Sequence, residues 1–298
     1  VVAAILSLLL TSACGQSMKD TIARTKDASL TVHQRCTAMD DLAFEGKRAV
    51  APLHELTHDP NAEVATCARK AIAGIFDSGA ADALVPLLAD DDPRVVVSAT
   101  EALGQIGKRS TVPALVPLLQ SPNRQVEIEA LHALGTIGDK KVVPAIEEVA
   151  LRRGATPAED KAGRKVRIAA VGALGNLGDQ RARTTLVRVL GSDPACSRAA
   201  GASLAALYQD DVTPLLPLLQ ERRHVALAFG LVDIGQEGTE DSLVAALHRF
   251  GDLELAEYYL NCGNRRLEKA ARTWADDHGY SVLTHPGVGG DEWGSASD

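Results

Sequence analysis

Residues 101–119 read "EALGQIGKRSTVPALVPLL", and two other stretches lie over them without a gap. These are 70–88, "KAIAGIFDSGAADALVPLL", and 132–150, "HALGTIGDKKVVPAIEEVA". Ile75, Ile106 and Ile137 follow one another at steps of 31 residues. The pattern returns at 172–190, "GALGNLGDQRARTTLVRVL", 40 residues after its predecessor, the excess being the polar insert "RRGATPAEDKAG" at 152–163. Weaker copies stand at 203–219 and 231–247, and "LAFEGKRAVAPLHEL" at 42–56 belongs to the series upstream. A constant step of about thirty residues means stacked supersecondary units, since no single unit buries its own apolar face.

Each unit reads as two short helices. In the second, Val95, Ala99, Ala102, Leu103 and Ile106 form one stripe at helical spacing, and Val126, Ala130, Ala133, Leu134 and Ile137 repeat it. Helix starts are expected at Asp59-Pro60, Asp92-Pro93, Ser121-Pro122 and Asp193-Pro194, where Asp or Ser accepts from free N–H groups and Pro has none to waste. Gly107, Gly138, Gly178 and Gly235 are expected to end helices in a left-handed turn. Gly104, Gly135 and Gly175 fall inside helices, where Gly costs about 1 kcal/mol against Ala. Close approach of a neighbouring helix is the expected compensation. "GQIG" and "GTIG" end helices rather than begin them, so they are no phosphate loop and no cofactor is expected.

Composition agrees with thin repeated layers. Hydrophobic residues make up 46% of the 298, yet aromatics only 3%, so large rings do not fill the core. The net charge of −8, spread over alternating signs, favours neither nucleic acid nor a polybasic membrane surface. The segment "DDDPRVVVSATEALGQIGKRSTVPALVPLL" at 90–119 resembles the HEAT repeat in the short form of the phycobilin lyase-like group. The resemblance runs over roughly residues 30 to 250 and implies an all-α fold, an α-solenoid of stacked antiparallel helix pairs. It also implies a binding scaffold, with a lyase-like enzyme subunit as the alternative. The HEAT-type hydroxylases of this group hold two irons with several His-Glu pairs; here His54-Glu55 is the single such pair, and that carry-over fails.

The ends read differently. "VVAAILSLLLTSACGQ" at 1–16 has an apolar run too short for a bilayer, which needs roughly 20 residues, and ends in small residues. "TSAC" resembles the lipobox of bacterial lipoproteins, although Thr11 stands where Leu is preferred and no basic stretch precedes the run. The expected order is a signal peptide at 1–13 and a lipidated Cys14 with a tether and capping helix to residue 29. A solenoid at 30–250, capping helices at 251–280 and a disordered tail at 281–298 follow. That resemblance implies an exported chain, lipid-anchored in the cell envelope. Gly15 stands where an inner-membrane retention Asp would be, which favours the outer membrane, facing the periplasm, in a Gram-negative source. Cys36, Cys67, Cys196 and Cys262 show no C-x-x-C spacing, so no cysteine metal site is expected. Cys36 and Cys67 are one repeat step apart and expected close, with a disulfide as one outcome.

"HELTH" at 54–58 matches the H-E-x-x-H pattern of zinc peptidases. The repeat frame dissolves that reading. Leu53 and Leu56 lie over Leu84 and Leu87 and over Leu115 and Leu118, as core positions; Glu55 lies over Pro86 and Pro117. His54 and His58 occupy variable slots, and Asp59-Pro60 ends the helix at once. No peptidase is expected; a surface metal site on His54 and His58 stays open as an alternative. For a partner, the exposed slot two residues before Leu42, Ile72, Leu103 and Leu134 holds Asp40, Lys70, Glu101 and His132. Their alternating signs suit another protein better than a polyanion. No catalytic constellation stands out, and the chain reads as a non-enzymatic scaffold for protein–protein interaction.

Overall fold

The computed structural model describes residues 17–191, 194–221, 224–281 and Trp293. The signal segment 1–13, Cys14 and the tail 282–298 apart from Trp293 lie outside them. Every regular element among the described residues is helical, with no strand among them. They form an α-solenoid architecture, divided into two compact units, Val1–Asp139 and Lys140–Asp298. The sequence marks no boundary there.

In the first unit, residues 17–26 form α1. The second helices of its repeats are α2 (Val32–Ala43), α4 (Ala62–Ala73), α6 (Pro93–Ile106) and α8 (Arg124–Ile137). Each starts on a side chain that accepts from free backbone N–H groups: Thr31 in a capping box with Gln34, then Asn61, Asp92 and Asn123. Only Asp92 is a cap that the sequence reading chose. Asp59 and Ser121 sit two residues earlier, and accept from the N–H of Asn61 and Asn123 at 2.8 and 3.2 Å. The Asp-Pro and Ser-Pro pairs are therefore not equivalent: the frame aligns 59 with 90 and 121, and 61 with 92 and 123. Gly107 and Gly138 end α6 and α8 with φ of 70° and 73°.

Between these run α3 (Val50–Leu56), α5 (Ala81–Leu84) and α7 (Val112–Leu115). The last two pass into 3₁₀ turns at Val85–Ala89 and Val116–Gln120. Pro86 and Pro117 have no N–H for an i→i−4 bond, so the tighter turn takes over. In the last of these turns Leu119 is buried while Leu118, the expected core position, is only half-buried. The core consists of Val and Leu with many fully buried alanines, Ala99, Ala102 and Ala130 among them.

The second unit continues the pattern with α9 (Val143–Leu151), α10 (Pro157–Leu177), α11 (Arg183–Leu190), α12 (Pro194–Leu207) and a 3₁₀ segment at Thr213–Gln220. After these come α13 (Leu227–Ile234), α14 (Glu240–Phe250), α15 (Leu253–Leu260) and α16 (Arg265–His278). Gly178 and Gly235 end α10 and α13 in the left-handed turn. The insert at 152–163 does not all loop out: a Thr156–Glu159 capping box starts α10 early, giving 21 residues against 14 in α6. In α16, Asn264 caps the start, Leu267, Ala270, Ala271 and Trp274 are buried, and Gly279 ends the helix. Among the described residues no single helix is long and apolar enough to cross a membrane.

Successive second helices meet at small residues. A Cβ on Gly104 would stand 2.8 Å from Ala133 Cα, and one on Gly175 would stand 2.9 Å from Ser203 Cβ. In the first two, Ala43 and Ala73 occupy that slot, and a Cys36–Cys67 disulfide joins α2 to α4 with their Cα atoms 5.4 Å apart. Two outcomes follow from this packing. Gly104→Ala must displace the Ala133 backbone and should lower stability by about 1–2 kcal/mol despite its better helix propensity. Gly172→Ala, in α10 with nothing within 4 Å of its Cβ, should raise it by about 0.5–1 kcal/mol. Urea midpoints of the two variants should move in opposite directions. Reduction should release two thiols beyond those titrating in the denatured, unreduced chain. Removing the bridge by Cys36→Ser with Cys67→Ser should cost about 3–4 kcal/mol, from the 31-residue separation of the pair.

Candidate functional site

Asp40, Lys70, Glu101 and His132 are all exposed, one on each second helix of the first unit. They occupy matching places because α2, α4, α6 and α8 share one stripe of buried residues and therefore one orientation. Lys70 and Glu101 border a groove of about 360 Å³, whose lining also includes Arg69, Arg94, Ser98 and Asn123. Asp40 and His132 are not part of that lining. His132 Nδ1 lies 4.0 Å from Glu129 Oε2 on its own helix. Burial pushes the Glu129 carboxyl above its usual range; the nearby His132 opposes this and the Glu101 charge adds to it.

The sequence reading missed Arg69. Its side chain is only 9% exposed and borders the groove from α4. One guanidinium nitrogen donates to Thr66 Oγ1 at 2.8 Å. The other, Nη1, lies 3.9 Å from Asp92 Oδ2 and makes no hydrogen bond. Burial lowers its pKa, as does the Arg94 charge, while Asp92 works the other way. Its slot is matched by Thr100 one repeat on, so nothing in the repeat pattern marked it.

The H-E-x-x-H stretch has a different geometry from a peptidase centre. His54 and His58 share a face at the end of α3, their ring centroids 5.4 Å apart. Glu55 is exposed and its Oε2 takes a 2.6 Å contact from Lys26 Nζ of α1. The third member of the histidine cluster is Asp90, whose Oδ2 lies 2.6 Å from His54 Nε2. Burial opposes ionisation of Asp90. The hydrogen bonds from His54 and the Asp92 N–H, together with the charges of His54 and His58, outweigh it and hold the carboxyl below its usual range. A signal for Asp90 existed: one repeat step beyond His58 lands on Ala89, its immediate neighbour.

Residues 92–157 match the family of HEAT repeats, and residues 166–192 match the PBS lyase HEAT-like repeat. Among solved structures, the karyopherin Kap121p bound to the extreme C-terminus of the protein phosphatase Cdc14p is similar, with a TM-score of 0.54 and 14% identity. The match covers 91% of this chain and 34% of that one. This chain thus spans about a third of Kap121p. The complex of CpcE and CpcF of phycocyanin lyase from Nostoc sp. PCC7120 matches at 19% identity and a TM-score of 0.44, over 87% of this chain and 94% of that one. Human deoxyhypusine hydroxylase matches at 18% identity and a TM-score of 0.39, over 91% and 99%. No curated protein matches the sequence. At these identities the likeness concerns the fold alone.

Proposed function

We propose that this α-solenoid carrying HEAT repeats is a non-enzymatic scaffold that holds another protein along the second helices of its first unit, tethered at the bacterial cell envelope through Cys14. The observation that carries the reading is the groove beside Lys70 and Glu101 with the buried guanidinium of Arg69 at its wall. A groove of this charge takes a segment of mixed sign, with an acidic side chain toward Arg69 and Lys70 and a basic one toward Glu101. Kap121p, which shares the fold, is described bound to the extreme C-terminus of a phosphatase; the same class of occupant is proposed here. Two observations support export. "TSAC" precedes the solenoid, and the Cys36–Cys67 bridge suits an oxidising compartment. Two or three acyl chains, at about 0.8 kcal/mol per buried CH₂, make attachment stable.

Crosslinking of the native protein in its envelope tests the surface. Capture of the partner should fall several-fold in the doubly charge-reversed chain, Lys70→Glu with Glu101→Lys, while circular dichroism stays as in the parent. Equal capture by both chains removes the groove as the contact surface. Cys14→Ser tests the tether separately: the variant should leave the membrane fraction or stay uncleaved. Processing and fractionation like the parent would refute the lipid anchor without touching the scaffold reading.

A further inference from the structure

His54, His58 and Asp90 stand outside the groove and the scaffold reading gives them no task. We infer that these three side chains form a binding site for a divalent transition-metal ion of the zinc type. The residue types fit: two imidazole nitrogens and one carboxylate oxygen are a donor set that zinc takes, with a fourth position left to water. The geometry fits as well. One ligand atom from each residue lies within 4.8 Å of the other two. A tetrahedral ion with bonds of about 2.0–2.2 Å needs its ligand atoms roughly 3.3–3.6 Å apart, so the His54–Asp90 pair opens from 2.6 Å while the exposed His58 side chain turns inward.

Three features of the surroundings prepare the site. The i, i+4 spacing at the end of α3 puts both rings on one face. Asp90 is held from behind: its Oδ1 accepts from the Asp92 N–H at 2.8 Å, which leaves Oδ2 turned to His54, and its side chain is 8% exposed. His58 Nδ1 lies 3.0 Å from Thr57 Oγ1, an outer contact that orients the ring. Metal binding replaces the His54–Asp90 hydrogen bond: Nε2 gives up its proton to solvent, Nδ1 holds one so that the ring binds as a neutral imidazole, and the ion stands between Nε2 and Oδ2. Glu55 is engaged with Lys26 and is not one of the three cluster residues. His54 and His58 belong to one repeat and Asp90 to the next, so the ion ties two repeats together.

The competing account is a metal-free ion pair between His54 and Asp90. Zinc titration calorimetry on the full chain separates them, with chelator removed and no reductant present so that the Cys36–Cys67 bridge stays closed. We expect a single saturable site, with affinity about 10–100-fold weaker in His58→Ala and in Asp90→Asn. Because His58 is exposed, its variant should keep the parental circular dichroism. Cobalt(II) in place of zinc should give a spectrum of nitrogen and oxygen ligation without a thiolate charge-transfer band. Absence of saturable uptake by the parent overturns the site, as does equal zinc affinity in His58→Ala. A thiolate band overturns it too, by assigning the metal to a cysteine outside the Cys36–Cys67 bridge.

Discussion

The distance between successive second helices is the quantity on which the layers depend. Gly104 faces Ala133 and Gly175 faces Ser203 so closely that a methyl group would collide. At such a spacing only small side chains fit between layers, which is why fully buried alanines recur and aromatics make up just 3% of the chain. Ser203 shows how a polar group is admitted there: its Oγ donates to Val171 O at 3.0 Å, so the hydroxyl is not left without a partner in the core. The rings that the chain does have gather toward its C-terminal end. Tyr259 is fully buried and donates to Leu243 O at 3.0 Å, and Trp274 stacks on His278 with centroids 4.3 Å apart.

One loop slot shows how a structural position gains chemistry. Asp59, Asp90 and Ser121 occupy the same place, and each accepts from the N–H two residues on. That bond shapes the turn into the next helix and is satisfied equally well by a carboxylate or a hydroxyl. The remaining oxygen of each carboxylate is then free to differ. Asp59 uses it for Arg35 at 2.6 Å, both side chains being largely buried. Asp90 uses it for His54. In Asp59 burial again opposes ionisation, and the Asn61 N–H and Arg35 outweigh it, so its carboxyl too is held low. Backbone geometry fixes where the charge stands; the neighbouring repeat decides what it meets.

Features tied to the repeat step were legible in the sequence. The glycine stops at 107, 138, 178 and 235, the close approach at Gly104 and Gly175, and the nearness of Cys36 to Cys67 all follow from laying the chain against itself, while the disulfide itself was one outcome among others. What escaped is not marked by the step alone. The true caps Asn61 and Asn123 were hidden by Pro-containing pairs two residues earlier, because a turn and a cap use the same side chains. The 3₁₀ turns at Val85–Ala89 and Val116–Gln120 require knowing which carbonyl a proline leaves unpaired. The early start of α10 was concealed in a polar insert, since Thr156 and Glu159 serve a helix start as readily as a loop. Arg69 became visible only when neighbouring repeats were brought together, and Asp90 was one residue off the step from His58.

The Cys36–Cys67 bridge also changes how the protein bears a load. Residues 37–66 lie between the bridged cysteines, and they include α3 with His54, and His58 just past its end. A force entering along the chain from the N-terminal side crosses from α2 to α4 through the sulfur–sulfur bond and passes these thirty residues by. They add nothing to the chain's extension while the bond is closed. At about 3.4 Å per residue they would otherwise supply roughly 100 Å of slack. Stretching must therefore begin outside the bridged segment, in α1 or in layers held by packing and by hydrogen bonds such as that of Ser203 Oγ to Val171 O, and the segment carrying His54 and His58 bears none of the pull while the bond is closed.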